Sequence, residues 1–188
     1  MTARSTGNNQ STMIRGVWAC WLVLLQAAAI GAILIPSNLA DGLYTIPFDS
    51  NGTALSDPIF IRSAAGTPSD HHRSRRQNPP TLPRSETKCG TGGLVRISEF
   101  TVAKANLQAE CDKGDTYPAR TAVIFITGTT TAYFCNYDAQ NRCWRQEYED
   151  AMNRVVQSCG SGRGGEVYIP SYLKSYGGDN NGQQVCRF

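Results

Sequence analysis

The chain has 188 residues, a formal net charge of +3 and seven cysteines. That length accommodates one modest domain plus processed segments, and the basic excess is too small to argue for nucleic acid as a partner. Seven cysteines in so short a chain make the redox compartment the first question.

Val17–Ile35 reads VWACWLVLLQAAAIGAILI, with Gln26 as its one strongly polar residue. Arg15 precedes it and the polar SNLADG follows. A basic flank, an apolar run and a small-residue exit predict a secretory signal over residues 1–40, cut after Ala40 or after Ala32. The rival reading is an uncleaved membrane anchor, because the run is near spanning length. Cys20 lies within it and is not counted as a disulfide partner.

Residues 41–76 hold isolated apolar clusters, LYTIPF and PIFI, between Gly, Ser, Pro and Asp, and sustain no helical or strand period. They are expected to form a disordered pro-segment. The segment ends in HHRSRRQNPP, where Arg73, Arg75 and Arg76 resemble the basic sites cut by kexin- and furin-type proteases of the secretory pathway. NPPTLP then predicts an extended, accessible linker over residues 77–88. Asn51 opens an Asn-Gly-Thr glycosylation sequon inside the pro-segment.

A cut after Arg76 leaves a nearly neutral product with Cys89, Cys111, Cys135, Cys143, Cys159 and Cys186. An even number in a small secreted domain predicts three disulfides over residues 89–188. No close pair has the spacing of a zinc cluster, so no metal is expected. Spacing does not fix the connectivity; the expected pairs are Cys135–Cys143 at the hairpin-to-helix turn, Cys89–Cys186 across the domain ends, and Cys111–Cys159 between helices.

Within that domain, Leu94–Phe100 reads as a strand. Thr101 can cap a helix through Val102, Ala105, Leu107 and Ala109 to Cys111, with Gly114 as its stop. TAVIFITG and TAYFCNYD predict a β-hairpin turning at Thr127–Thr130. Asn141 is the expected cap of a long helix. Its Trp144, Tyr148, Ala151, Val155 and Cys159 fall on one face, and Arg145–Glu149 and Asp150–Arg154 pair on the other. GSGRGG ends that helix, EVYIP is a fourth strand and QQVCRF a fifth. The order is β-α-β-β-α-β, an α+β split sandwich with an antiparallel sheet, both helices on one face and disulfide staples. Val123–Ile126 is apolar in both directions, so the second sheet face needs cover, which the tail is expected to supply.

The two histidines, His71 and His72, precede the cleavage site, so the product would have none. Histidine-based catalysis is then unavailable, and all six cysteines are expected in bridges. Glu147, Glu149 and Asp150 are local to one helix and read as its solvated side, whereas a glycosidase needs carboxylates facing each other across a cleft. GSGRGG follows a helix and precedes a strand, the reverse of a nucleotide fingerprint. GGDNNG reads as a turn. Tyr168, Tyr172 and Tyr176 recur every four residues around Lys174. They are read either as an exposed aromatic row for a sugar or protein, or as rings covering the sheet.

KCGTGG, AYFCNYD, EYEDAMNRVVQSCG and GGEVYIPSYLKSYGGDNNGQQVC together resemble small cysteine-rich secreted proteins of filamentous fungi. These include effector candidates and killer-toxin-like α/β sandwiches of the KP4 and KP6 type. The resemblance implies an extracellular, non-enzymatic protein without cofactor. It would act by binding a protein, membrane or cell-wall component of a host or competitor cell. The alternative is an extracellular carbohydrate-binding module.

Overall fold

The computed structural model describes residues 31–63 and 82–188. Most of the expected signal, with Cys20, lies outside the described residues, as do His71, His72 and the cleavage residues Arg73, Arg75 and Arg76.

The fold is α+β. Strong β-formers at period two build the hairpin β6 (Thr121–Thr127) and β7 (Thr130–Asn136) as expected, paired from Thr121↔Asn136 to Thr127↔Thr130. Gly128 takes φ +56° at its tip, a conformation that costs glycine nothing. Val123, Phe125, Ala132 and Phe134 face one apolar cluster, and Ala122, Ile124, Ile126, Tyr133 and Cys135 face another. The hairpin is therefore the midline between two cores.

On one face lie both helices, α1 (Ile97–Asp112) and α2 (Arg145–Cys159). Ala103 and Leu107 of α1 and Tyr148, Ala151 and Val155 of α2 are buried against the sheet. The expected strand Leu94–Phe100 is corrected. The strand β4 spans Glu86–Leu94, and Ile97–Phe100 is already helix. Arg96, not Thr101, is the N-cap; Thr101 instead returns its hydroxyl to the Ile97 carbonyl at 2.8 Å. Likewise Trp144, not Asn141, caps α2. Asn141 belongs to β8 (Asn141–Arg142), which pairs with β5 (Thr116–Tyr117).

After α2 come β9 (Arg163–Ile169), a short turn at Pro170–Tyr172, and β10 (Lys174–Asn180). GGDNNG, expected as a turn, is strand over its first four residues, with the turn beginning after Asn180. The last strand, β11 (Gln184–Val185), leaves the large sheet and pairs with β1 (Ile33–Leu34).

The expected disorder of residues 41–76 is corrected for residues 42–63. β2 (Gly42–Pro47) lies between β6 and β3 (Ile59–Ser63), giving a seven-stranded antiparallel order β3-β2-β6-β7-β10-β9-β4. LYTIPF is a strand whose alternation went unrecognised: Leu43 faces the helices, and Tyr44 and Ile46 face the second core. The tail does cover that second face with Val185 and Cys186, but Ile33, Ile35, Tyr44, Ile46 and Phe48 share the work. A cut after Ala32 would spare β1, whereas one after Ala40 would remove it. Of the expected extended linker, residues 82–88 are among the described residues: Leu82 is buried against the helix-side core, and Arg154 donates to its carbonyl at 3.1 Å.

Three disulfides close the fold: Cys89–Cys159, Cys111–Cys143 and Cys135–Cys186. All six expected cysteines are used, but none of the three expected pairs forms. Cys135 and Cys143 sit in different cores on opposite sheet faces, so their short sequence separation cannot bring them together. Cys143 instead anchors the start of α2 to the end of α1, and Cys135 anchors the tail to the hairpin. Among the described residues no helix is long and apolar enough to cross a membrane.

Candidate functional site

The residues singled out in the sequence separate in space. Strand alternation puts Lys174 and Tyr176 on the helix face and Tyr168 on the other. The Lys174 ammonium lies 5.0 Å from the Tyr172 ring centre and 5.6 Å from that of Tyr176. Tyr172 is exposed in the Pro170–Tyr172 turn, and Tyr176 is fully buried. Tyr168 stacks on Phe188 with ring centres 4.9 Å apart and meets Tyr137 edge-on. The expected three-ring row is corrected: the four-residue spacing crosses a strand, a turn and a second strand, so it is not one face.

Lys174 belongs to a buried polar cluster that periodicity does not reveal. Its ammonium meets Glu147 at 2.5 Å, and both side chains are at most 2% exposed. Tyr176 donates to the same Glu147 oxygen at 2.8 Å and accepts from the Trp144 backbone N–H at 3.1 Å. Lys174 also donates to the Arg142 carbonyl at 3.2 Å. Burial lowers the Lys174 pKa against the pull of Glu147, and raises that of the Tyr176 phenol, as does Glu147. Glu147 is thus removed from the solvated acid cluster expected on α2. Glu149 and Asp150 remain partly exposed; Arg145 approaches Glu149 at 4.0 Å, while Asp150 accepts from Gln146 and Arg154 turns to Ser85 and Leu82.

The opposite face of β10 holds a second polar cluster. Glu166 is fully buried and accepts from Ser175, from Tyr137 at 3.1 Å and from the Arg187 backbone at 3.2 Å. Arg187 also donates to the Cys89 carbonyl at 3.2 Å, so the chain end is pinned by charge as well as by Cys186. Beside it, Asp179 occupies a notch made by Gly90 and Gly164, where a Cβ at either glycine would strike its carboxyl. KCGTGG and GRGGE therefore serve this packing. Asp179 Oδ1 accepts from the Asn180 N–H at 2.9 Å, and Oδ2 is buried without a partner. Burial raises its pKa above the ordinary 3.8.

Glu147 and Glu166 are held by internal donors, whereas Asp179 keeps one unpartnered oxygen in its glycine-lined notch. Among the described residues no group of three or more His, Cys, Asp or Glu side chains is placed to hold a metal ion.

A groove of about 110 Å³ lies between α1, α2 and the β4 end. Val95, Phe100, Met152 and Val156 line it, with Lys104 and Arg163 at the polar edge. Leu94 and Ile97, close to Val95 in the chain but not among the lining residues, are 69% and 64% exposed, and the lining residue Val156 is 49% exposed. Leu94 pairs with Arg163 across the strands. Sequence reading missed this surface because it assigned Leu94–Phe100 to one strand. The exposure of Leu94 and Ile97 follows from the chain turning into α1 between them.

On the N-terminal side, Asn51 is exposed in the turn after β2, where Asp49 accepts from the backbone N–H groups of Asn51 and Thr53 at 2.8 Å. Comparison with protein-family models, curated proteins and solved structures finds no match to this chain.

Proposed function

We propose that this is a secreted, non-enzymatic effector or toxin-like protein that acts by binding a protein of a host or competitor cell through a surface made of the groove lined by Val95, Phe100, Met152 and Val156 and of Leu94 and Ile97, close to Val95 in the chain. The observation that carries the reading is this run of exposed apolar side chains next to an apolar-lined depression. Exposed large apolar side chains beside a concave apolar surface, with cations among the lining residues, are what a protein contact desolvates. Three disulfides on a small domain fit an oxidising compartment, and the N-terminal apolar run supplies a route there. Processing after Arg73, Arg75 and Arg76 belongs to the same reading.

The test applies purified wild-type protein and the pair variant Leu94→Asp/Ile97→Asp to plant and fungal cells. Both positions are exposed, so the variant is expected to keep its thermal midpoint within a few degrees and to lose at least tenfold in cell association. Equal association of both proteins would sink the groove. Retention on chitin or β-glucan that survives the variant and falls with Tyr172→Ala would favour the carbohydrate-binding alternative.

A further inference from the structure

Residues 31–81 contain no cysteine, and all three bridges lie between Cys89 and Cys186. The segment that supplies β1, β2 and β3 is therefore joined to the rest of the described fold only through the chain at residues 64–81 and by non-covalent contacts. Those contacts are extensive. β2 pairs with β6 from Gly42↔Ile126 to Pro47↔Thr121, and the Phe48 N–H continues the ladder to the Arg120 carbonyl at 2.9 Å. Asp41 accepts from the Gly128 N–H at the hairpin tip, and Arg62 pairs with Glu110 of α1 at 2.8 Å. Ile33, Ile35, Tyr44, Ile46 and Phe48 are each at most 4% exposed.

We infer that the β6 edge and the apolar face beside it form a strand-acceptor site whose ligand is the chain's own segment 31–63, and that cutting the chain between Ser63 and Leu82 yields a two-chain molecule from which this segment can exchange. The inference rests on the proposed processing at Arg73, Arg75 and Arg76 only for its natural trigger. Hydrolysis there consumes one water and breaks one peptide bond, leaving a carboxylate on one piece and an amine on the other. It removes no contact described above. What changes is molecularity: before the cut the segment is tethered at high effective concentration, and after it the segment is a separate ligand. Backbone pairing provides the attraction and alternate side-chain pockets the selectivity, as in strand addition to a sheet edge. Departure of the segment would uncover Ala122, Ile124 and Ile126 and leave β6 with an unpaired edge, the kind of surface another chain can extend.

The experiment uses the chain secreted with its N-terminus at Ile33, the form that keeps β1, from a host lacking basic-pair proteases, cut afterwards with a basic-pair endoprotease. A second form carries an unrelated protease site within residues 64–81. After either cut, a non-reducing denaturing gel is expected to show two pieces, and native gel filtration one peak containing both. The melting temperature of cut protein should fall on tenfold dilution, that of uncut protein should not. A labelled peptide of residues 31–63 should exchange into cut but not uncut protein, and the same peptide with Ile46→Asp should be retained less than one tenth as well. Elution of the two pieces apart without denaturant, association of cut protein into larger species lacking the segment, or equal retention of both peptides would overturn the inference. If the basic-pair enzyme fails to cut while the second form behaves as described, the processing reading falls and the inference stands.

Discussion

Glu147 shows how far one residue's role can depart from its neighbours in sequence. It sits in the acid-rich EYED run, yet it is the fixed counter-charge of Lys174 on another element. Removing one partner from a buried ion pair leaves the other charge uncompensated, at a cost of ~3–5 kcal/mol. Glu147→Gln is therefore expected to lower the unfolding free energy, read by urea denaturation, by that much, and Glu147→Gln/Lys174→Met to recover most of the loss. Glu149→Gln, by contrast, alters a partly exposed contact and should cost a few tenths of a kcal/mol, roughly the value of a solvated pair. Asp179 contributes to the pH dependence in the direction opposite to Glu99 and Glu110, whose pKa values are lowered by their hydrogen-bond and ion-pair partners. Its folded-state pKa is raised by burial, so its proton stabilises the fold fully below the unfolded value near 3.8 and less as pH rises through the folded value. Asp179→Asn is expected to stabilise at pH 7 by about 1 kcal/mol, through loss of a buried charged acceptor. It should also remove the part of the decline that Asp179 causes as pH rises above about 3.8, read by urea denaturation at several pH values.

At the scale of elements, α2 separates apolar character from burial. Trp144 follows the same apolar spacing as Tyr148, Ala151 and Val155, but it is the N-cap and its backbone is extended. The ring is half-buried and stacks on the Arg142 guanidinium 4.2 Å away. Tyr148 is fully buried and donates to the Gly177 carbonyl at 3.3 Å. Tyr148→Ala should thus cost ~3–5 kcal/mol, the range for truncating a large buried ring. Trp144→Ala should cost ~1 kcal/mol, mainly the cation–π contact. Thermal melts of the two variants check this order, and a larger loss at Trp144 would contradict the helix start.

For the whole molecule, the sheet divides the protein into two cores that are stapled differently. Cys89–Cys159 and Cys111–Cys143 tie the helices on one face. Cys135–Cys186 ties the tail on the other. The second core also depends on β1 and β2, which no bridge secures. A small domain buries a limited apolar area, so losing Ile33, Ile35, Tyr44, Ile46 and Phe48 would open much of one face. Covalent order and apolar order therefore have different boundaries: the first begins at Cys89, the second at Ile33.

By itself the sequence determined the hairpin, the existence of both helices, the α+β class and the use of six cysteines in bridges. Each follows from local period or from parity, which need no knowledge of distant residues. Tertiary structure alone decided the rest. It paired the cysteines by the sheet face each occupies, and it buried Glu147 because Lys174 arrives from a strand 27 positions later. It also turned LYTIPF from an unpatterned cluster into β2, because six residues of marginal propensity become a strand only when β6 offers an edge and a core. The groove at Val95, Phe100, Met152 and Val156, and the exposure of Leu94 and Ile97, were hidden for the same reason. Exposure of an apolar side chain is a property of what packs beside it, and that is set by contacts between residues far apart in the chain.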